Sequence, residues 1–157
     1  MNVAVIGIGR IGLPLAAKIA AQGHTVFGCD INEARVDQVN RAENPMPDEA
    51  GLAELLASVV GSGRVTATTA TTEAVGRCDV ILFAVAVDVD EDGRADLRAL
   101  SAAAADVAKG LMSGTLCIFD TTLPIGTTRT LLAPKLEAYG LRVGRDVFVA
   151  FSPERLL

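Results

Sequence analysis

The segment with the clearest chemical potential is a glycine-rich stretch close to the start of the chain. Gly7, Gly9 and Gly12 match the pattern G-x-G-x-x-G, and a short apolar run precedes them. In this pattern the first glycine permits a tight turn, the second lets a diphosphate approach the backbone, and the third lets a helix pack closely against a strand. The free N–H groups at the start of that helix would bind phosphate. The predicted phosphate-binding turn comprises Gly7, Gly9, Arg10, Ile11 and Gly12.

An acidic residue at the end of the next apolar run indicates which dinucleotide would bind. Asp30 follows Gly12 by 18 residues. A carboxylate at this position can accept hydrogen bonds from both hydroxyls of an adenosine ribose and repels a 2′-phosphate, so NAD is expected rather than NADP. Arg35 could accommodate that phosphate or lie in solvent, and we include it among the candidate cofactor-binding residues. The alternative is a strand–turn–helix corner that binds nothing, and the presence of the acid counts against it.

Composition and charge exclude several classes of protein. The chain has 157 residues, of which 50% are hydrophobic and 21% charged, and its net charge is −5. It is too apolar for a disordered tail, and it lacks the basic balance of a nucleic-acid binder. The longest unbroken apolar run, residues 80–87, is far shorter than the roughly 20 residues of a membrane span. Three cysteines without a C-x-x-C pair predict neither a disulfide framework nor a metal site, and the cytoplasm is the expected compartment.

Short apolar runs alternate with longer amphipathic stretches, which is typical of an α/β fold. We expect a doubly wound parallel sheet of about six strands, of the Rossmann type, in one domain covering residues 1–157. Residues 79–87 should form the longest strand and lie at the centre of the sheet. Ile11, Leu15 and Ile19 recur every four residues and should face the core. The strands are predicted at residues 3–6, 25–29, 65–68, 79–87, 115–119 and 147–151.

Two later segments are more specific than the glycine turn. Residues 120–128 read DTTLPIGTT and residues 151–156 read FSPERL, and each follows a predicted strand. Together with Gly23-His24-x-Val26 and Asn44-Pro45, they resemble the N-terminal domain of the UDP-glucose/GDP-mannose dehydrogenase family. The form GLPLA at residues 12–16 is similar to the branch that oxidises UDP-N-acetylmannosamine and related sugars. The resemblance extends over essentially the whole chain.

The resemblance implies an NAD-dependent enzyme of polysaccharide biosynthesis that oxidises the C6 alcohol of a nucleotide sugar to a carboxylate. The family's reaction uses two NAD and passes through an aldehyde and a cysteine thioester. By position, Thr122 resembles the threonine beside the nicotinamide and the reacting centre. Glu154 resembles the glutamate that assists thioester hydrolysis and contacts the cofactor, and Arg155 and Leu156 begin the segment that lies along the sugar. The implied partner is a UDP-sugar, and no nucleic acid, membrane or metal is expected to bind.

The same resemblance places the rest of the catalytic apparatus outside this sequence. The family's nucleophilic cysteine, its lysine and its asparagine come from a C-terminal half, so we expect the 157-residue chain alone to be inactive. The parent enzyme is expected to be a homodimer. Cys29, Cys78 and Cys117 are predicted to be packing residues, because a thiol inside or beside an apolar strand behaves as a small hydrophobe.

One departure from the family pattern and two alternatives remain. Ala86-Val87-Asp88 stand where the family usually has a small residue, threonine and proline, which removes one expected cofactor contact.

A hydroxyacid dehydrogenase of the 3-hydroxyisobutyrate type shares the glycine turn and the Gly-His turn, but not the segments 120–128 and 151–156. A non-catalytic NAD-binding module would not require Thr122 and Glu154.

Overall fold

Strands and helices alternate along the chain in the computed structural model, which describes residues 1–153. The elements are β1 Asn2–Ile6, α1 Gly12–Ala21, β2 Thr25–Cys29, α2 Glu33–Asn40, α3 Leu52–Gly61, β3 Val65–Thr68, α4 Thr71–Val75, β4 Val80–Phe83, α5 Arg98–Gly110, β5 Leu116–Phe119, α6 Ala133–Leu136 and β6 Phe148–Phe151. A π-helical turn, Thr128–Leu132, runs directly into α6. The strands pair in parallel in the order β3-β2-β1-β4-β5-β6. The prediction of a doubly wound parallel sheet of the Rossmann type is confirmed.

The sheet separates two hydrophobic cores. Val3 and Val5 of β1 point to the face covered by α1, α2 and α3, whereas Ala4 and Ile6 point to the face covered by α4, α5 and α6. Successive side chains of a strand alternate between faces, so a strand buried on both sides has no polar alternation. β1 and β4 are neighbours at the centre of the sheet, which explains why their sequences are almost purely apolar.

The inward face of α1 differs from the prediction. Leu13, Ala16, Ala17 and Ala20 are fully buried, whereas Ile11, Leu15 and Ile19 are only half-buried at the side of the helix. Small side chains let the helix axis approach the sheet closely, so the alanines occupy the contact. Leu15 and Ile19 then pack against the edge of this core. The periodicity correctly predicts a helix, but the prediction that Ile11, Leu15 and Ile19 face the core is wrong.

The predicted strand at residues 79–87 is shorter than expected but central. β4 ends at Phe83 and has four residues, whereas β1 and β2 have five each. Ala84 still donates its N–H to Ile6 O at 2.9 Å, and residues 84–87 then leave the sheet and line a cavity. The apolar run therefore combines a buried strand with a segment that lines a cavity and packs against the core.

Two absences concern the part of the chain that the structure describes. Within residues 1–153 there is no helix long and apolar enough to cross a membrane. The same residues contain no group of three or more His, Cys, Asp or Glu side chains that could hold a metal ion.

Candidate cofactor-binding site

A cavity of about 690 Å³ opens at the carboxyl ends of β1, β2, β4 and β5. The chain runs from β1 to β2 on one side and returns to β4 on the other, which makes this edge the topological switch point where open α/β sheets bind ligands. Each of the four strands contributes the residue at or just after its end. The lining residues are Ile6, Gly7, Gly9, Arg10, Ile11, Cys29, Asp30, Ile31, Thr71, Ala84, Val85, Ala86, Val87, Ala99, Ala102, Ala103, Asp106, Asp120, Thr121 and Thr122.

The three glycines of the turn are required for three different reasons. Gly7 has φ +88°, and a Cβ there would lie 3.0 Å from Ala84 O. A Cβ on Gly12 would overlap Gly7 O, so only glycine lets α1 start so close to β1. A Cβ on Gly9 would meet no atom of residues 1–153 within 4 Å, because Gly9 faces the cavity. The open space at Gly9 is where a diphosphate can approach the backbone.

The start of α1 supplies hydrogen-bond donors to the same point. No side chain among the described residues caps this end, and its first turn contains no acid. The first N–H groups of a helix have no partner inside the helix and carry the positive end of its dipole. Arg10 and Ile11 also line the cavity, and Arg10 is exposed. The turn therefore brings N–H groups, the helix dipole and the Arg10 guanidinium to the same part of the cavity.

Asp30 is held in place by backbone N–H groups on both of its oxygens. Ile8 N donates to Asp30 Oδ2 at 3.0 Å, and Asn32 N donates to Asp30 Oδ1 at 3.0 Å. The carboxylate is half-buried at the end of β2 and lines the cavity. Since each carboxylate oxygen has two lone pairs, both oxygens can accept a second hydrogen bond from a ligand hydroxyl.

Arg35 contacts the carbonyl oxygen of Ile8, the residue whose N–H donates to Asp30. Its Nη1 donates to Ile8 O at 3.4 Å, and its backbone N–H donates to Asn32 Oδ1 at 3.1 Å as part of the α2 N-cap. Arg35 does not line the main cavity. It lies with Arg10 and Lys18 beside a second, more polar depression of about 830 Å³, which also carries acidic side chains.

The segment after β5 forms the other end of the cavity. Asp120 N donates to Phe83 O at 2.9 Å, which continues the sheet hydrogen bonding by one residue. Thr121 is buried and Thr122 is exposed, and both line the cavity. The predicted site residues Glu154, Arg155 and Leu156 lie outside the described residues.

One wall of the cavity, formed by α5, was not predicted from the sequence motifs. Ala99, Ala102, Ala103 and Asp106 of α5 face it. Their spacing of i, i+3, i+4 and i+7 is that of a single helix face. The alanines looked like simple helix-forming residues in the sequence, and the only available signal was that the stripe ends in an acid.

All three cysteines are buried and free, in agreement with their predicted packing role. Burial raises the pKa of the Cys117 thiol to about 12 and that of Cys78 to about 11. Burial also raises the pKa of Cys29 to about 12, although the Thr71 hydroxyl donates a hydrogen bond that acts in the opposite direction. None of them has the depressed pKa of a reactive cysteine.

The acidic loop after β4 satisfies its own backbone. Asp90 Oδ1 accepts from Asp92 N at 3.0 Å and from Arg94 N at 2.8 Å, and Arg94 Nη1 pairs with Asp92 Oδ2 at 2.8 Å. These contacts are those of a solvated turn.

The site and the sheet together define a class of protein. A donor-rich helix start in the middle of the cavity, with a carboxylate on one side and a threonine-lined end on the other, suits a ligand whose diphosphate joins two nucleosides. This is a dinucleotide-binding domain. The chain belongs to the UDP-glucose/GDP-mannose dehydrogenase family: the model of that family's NAD-binding domain matches residues 1–157. The cofactor is accordingly NAD.

Individual relatives agree with the family match. The UDP-N-acetyl-D-mannosamine dehydrogenase of Escherichia coli K12 is 36% identical, covering 99% of this chain and 38% of that protein. The GDP-mannose 6-dehydrogenase of Azotobacter vinelandii is 32% identical, covering 99% of this chain and 36% of that protein. Among solved structures, a ternary complex of GDP-mannose dehydrogenase from Pseudomonas aeruginosa superimposes with a TM-score of 0.94 at 27% identity, covering 100% of this chain and 37% of that one. The chain thus spans little more than a third of these relatives' length, and the match favours this family over both alternatives raised above.

Proposed function

We propose that this chain is the NAD-binding domain of an enzyme that oxidises the C6 alcohol of a UDP-sugar to a carboxylate with two NAD. The observation that carries the proposal is the cavity at the switch point, with Asp30 at one end and Thr122 at the other. The names of the relatives support a nucleotide-sugar substrate, and the E. coli relative acts on UDP-N-acetyl-D-mannosamine. Sugar acids of this kind are building blocks of polysaccharides, so we place the enzyme in polysaccharide biosynthesis.

The strand order supports an orientation for the cofactor. Asp30 follows β2 and Thr122 follows β5, with β1 and β4 between them. Three strand spacings separate the two ends by about 14 Å. We place the adenosine ribose at Asp30, the diphosphate at Gly7, Gly9, Arg10, Ile11 and Gly12, and the nicotinamide at Thr122. Arg35 acts on the cofactor through Ile8, whose carbonyl its guanidinium contacts.

The chemistry proposed for this chain is positioning of the nicotinamide ring by Thr122 and proton transfer by Glu154. Bound NAD accepts a hydride at its nicotinamide ring. Thr122, exposed at the cavity end, would orient that ring and the alcohol carbon. Glu154 would contact the cofactor and remove a proton from the water that hydrolyses the thioester, since a carboxylate in a closed cleft can serve as a general base. Arg155 and Leu156 would bind the sugar through their backbone. The roles of Glu154, Arg155 and Leu156 rest on the family resemblance.

The proposed partners and compartment follow from the same assignment. The substrate is a UDP-sugar, the parent enzyme is a homodimer, and its compartment is the cytoplasm. Three free, buried thiols suit a reducing compartment.

The 157-residue chain itself provides the test. Titration calorimetry should detect NAD binding, and Asp30→Ala should weaken it because the ribose hydroxyls lose their acceptor. Incubation with NAD and UDP-N-acetylmannosamine should produce no NADH, because the family resemblance places the nucleophilic cysteine, the lysine and the asparagine outside these 157 residues. Absence of NAD binding would refute the cofactor assignment. NADH production by the pure chain would refute the expectation that part of the catalytic apparatus lies outside these residues.

A further inference from the structure

Asp106 is a charged wall residue of the main cavity that the proposed function has not used. The charged side chains lining this cavity, among the described residues, are Arg10, Asp30, Asp106 and Asp120. Arg10 and Asp30 are accounted for by diphosphate and ribose. Asp120 lies at the end of β5, on the nicotinamide side. Asp106 comes from α5 and needs its own explanation.

Packing of α5 against α4 places Asp106 at the adenosine end of the cavity. Thr72 Oγ1 donates to Asp106 O at 3.1 Å. A Cβ on Gly110, one turn further along α5, would overlap Thr72 O, so the two helices are in close backbone contact. Thr71, the first residue of α4, lines the cavity together with Cys29 at the end of β2. Asp106 is therefore on the side of the cavity that holds Asp30.

The walls around Asp106 form a slot for a flat apolar ring. One side is formed by α5, through Ala99, Ala102 and Ala103. Ile31 also lines the cavity, and its residue surface is 94% exposed. Small methyl groups leave room for a purine, and an isoleucine exposed to this extent is available to cover it. Alanines of α5 and an exposed isoleucine thus share the lining of this cavity with Asp106.

The Asp106 carboxylate can accept a hydrogen bond from such a ring. Its side chain is 50% exposed, and Lys109 Nζ pairs with its Oδ1 at 2.7 Å. An ionised carboxylate has about four acceptor sites and no donor, and the ion pair with Lys109 uses one of them. The adenine base of NAD carries one N–H donor group, the exocyclic 6-amino group. A hypoxanthine base carries an acceptor oxygen at the same position.

We propose that Asp106 accepts a hydrogen bond from the 6-amino group of the NAD adenine and thereby selects adenine over hypoxanthine at this site. The inference rests on NAD binding in this cavity. A 6-oxo group would face the carboxylate with two acceptors opposed, and the ring could offer its N1–H to the carboxylate only by shifting from this position. Such a mismatch leaves the half-exposed carboxylate without the partner that adenine supplies, which lowers the affinity.

The test compares NAD with nicotinamide hypoxanthine dinucleotide by titration calorimetry on the 157-residue chain. Wild type should bind NAD at least about tenfold more tightly, the ratio expected for one hydrogen bond to a charged group. Asp106→Asn should bring the two affinities close together, since an amide can donate to the 6-oxo group as well as accept from the 6-amino group. Lys109→Ala removes the ion pair but keeps the acceptor, so it should keep the wild-type preference.

Two results would overturn the inference without touching the cofactor assignment. One is equal affinity of the wild-type chain for both dinucleotides, and the other is an unchanged preference in a folded Asp106→Asn variant. A preference lost equally in Asp106→Asn and Lys109→Ala would assign the effect to the ion pair and also overturn it. Failure of wild type to bind either dinucleotide would overturn the cofactor assignment together with this inference.

Discussion

Asp30 combines a structural and a recognition task in one side chain. Its two oxygens accept from Ile8 N and Asn32 N, which fastens the glycine turn to the end of β2. Asp30 also lines the cavity. The backbone donors hold the carboxylate rigidly, so a ligand hydroxyl meets an acceptor whose position is already set before binding.

This arrangement predicts discrimination against NADP. A 2′-phosphate would be brought against a held carboxylate, and like charges in contact cost several kcal/mol, so NADP should bind at least about tenfold more weakly than NAD. Calorimetry with both dinucleotides measures the ratio. Asp30→Asn should reduce it, while Arg35→Ala should leave NAD preferred. Equal affinities in wild type would mean that Arg35 controls the pocket.

The buried thiols predict a chemical and a pH response. Cys117 has its pKa raised by burial from 9.0 to about 12, and Cys29 likewise. Folded chain should therefore react with iodoacetamide at pH 8 far more slowly than chain unfolded in urea, as followed by intact-protein mass spectrometry. Rapid labelling of Cys117 in the folded chain would contradict its burial.

The sign of the pH effect follows from proton binding. Between pH 9 and about 12 the unfolded chain releases the Cys117 proton and the folded chain retains it. Unfolding is then favoured as the pH rises. The contribution of this thiol to stability is present below pH 9 and is lost on approaching pH 12, which urea unfolding of wild type and Cys117→Ala across that range would resolve.

At the scale of the elements, the turn between β1 and α1 contains one glycine required for folding, Gly12, and one required for cofactor binding, Gly9. Gly9→Ala adds a methyl group where no described atom lies within 4 Å, whereas Gly12→Ala places one against Gly7 O. We expect Gly12→Ala to lower the free energy of unfolding by about 1–3 kcal/mol, because a backbone atom has to move. Thermal unfolding measures this loss.

The companion variant should show the opposite behaviour. Gly9→Ala should unfold at nearly the wild-type temperature but bind NAD about tenfold or more weakly, because the diphosphate can no longer approach the backbone. A Gly9→Ala variant that binds NAD normally would move the diphosphate away from the turn.

At the scale of the whole molecule, the prediction concerns Glu154 in an enzyme that joins this domain to the family's cysteine. Glu154→Gln keeps the size and hydrogen bonding of the side chain but removes the base. Oxidation to the thioester should continue while hydrolysis slows by roughly 10²–10⁴. The expected signature is a burst of NADH followed by a stalled enzyme carrying a covalent sugar, visible by intact-protein mass spectrometry. Normal turnover without an adduct would remove Glu154 from the catalytic residues.

Features determined within a short stretch of chain were predictable from the sequence. The strands at 25–29 and 65–68 were located to the residue, because buried apolar runs end where turn residues begin. The glycine turn and Asp30 were found because their spacing reflects one local geometry, a strand, a tight turn and a helix. The cofactor class follows from the same geometry, whereas the family was indicated by the resemblance of residues 120–128 and 151–156.

Features that depend on which elements meet were decided by the tertiary structure. Close approach of α1 to the sheet selected Leu13 and the alanines for the core in place of Ile11, Leu15 and Ile19. The sheet order placed β5 three strands from β2, and the contact of α5 with α4 brought Asp106 to the adenosine end of the cavity. Periodicity in a sequence identifies a helix and its faces, but which face meets the sheet and which meets a ligand depends on the distances between elements far apart in the chain.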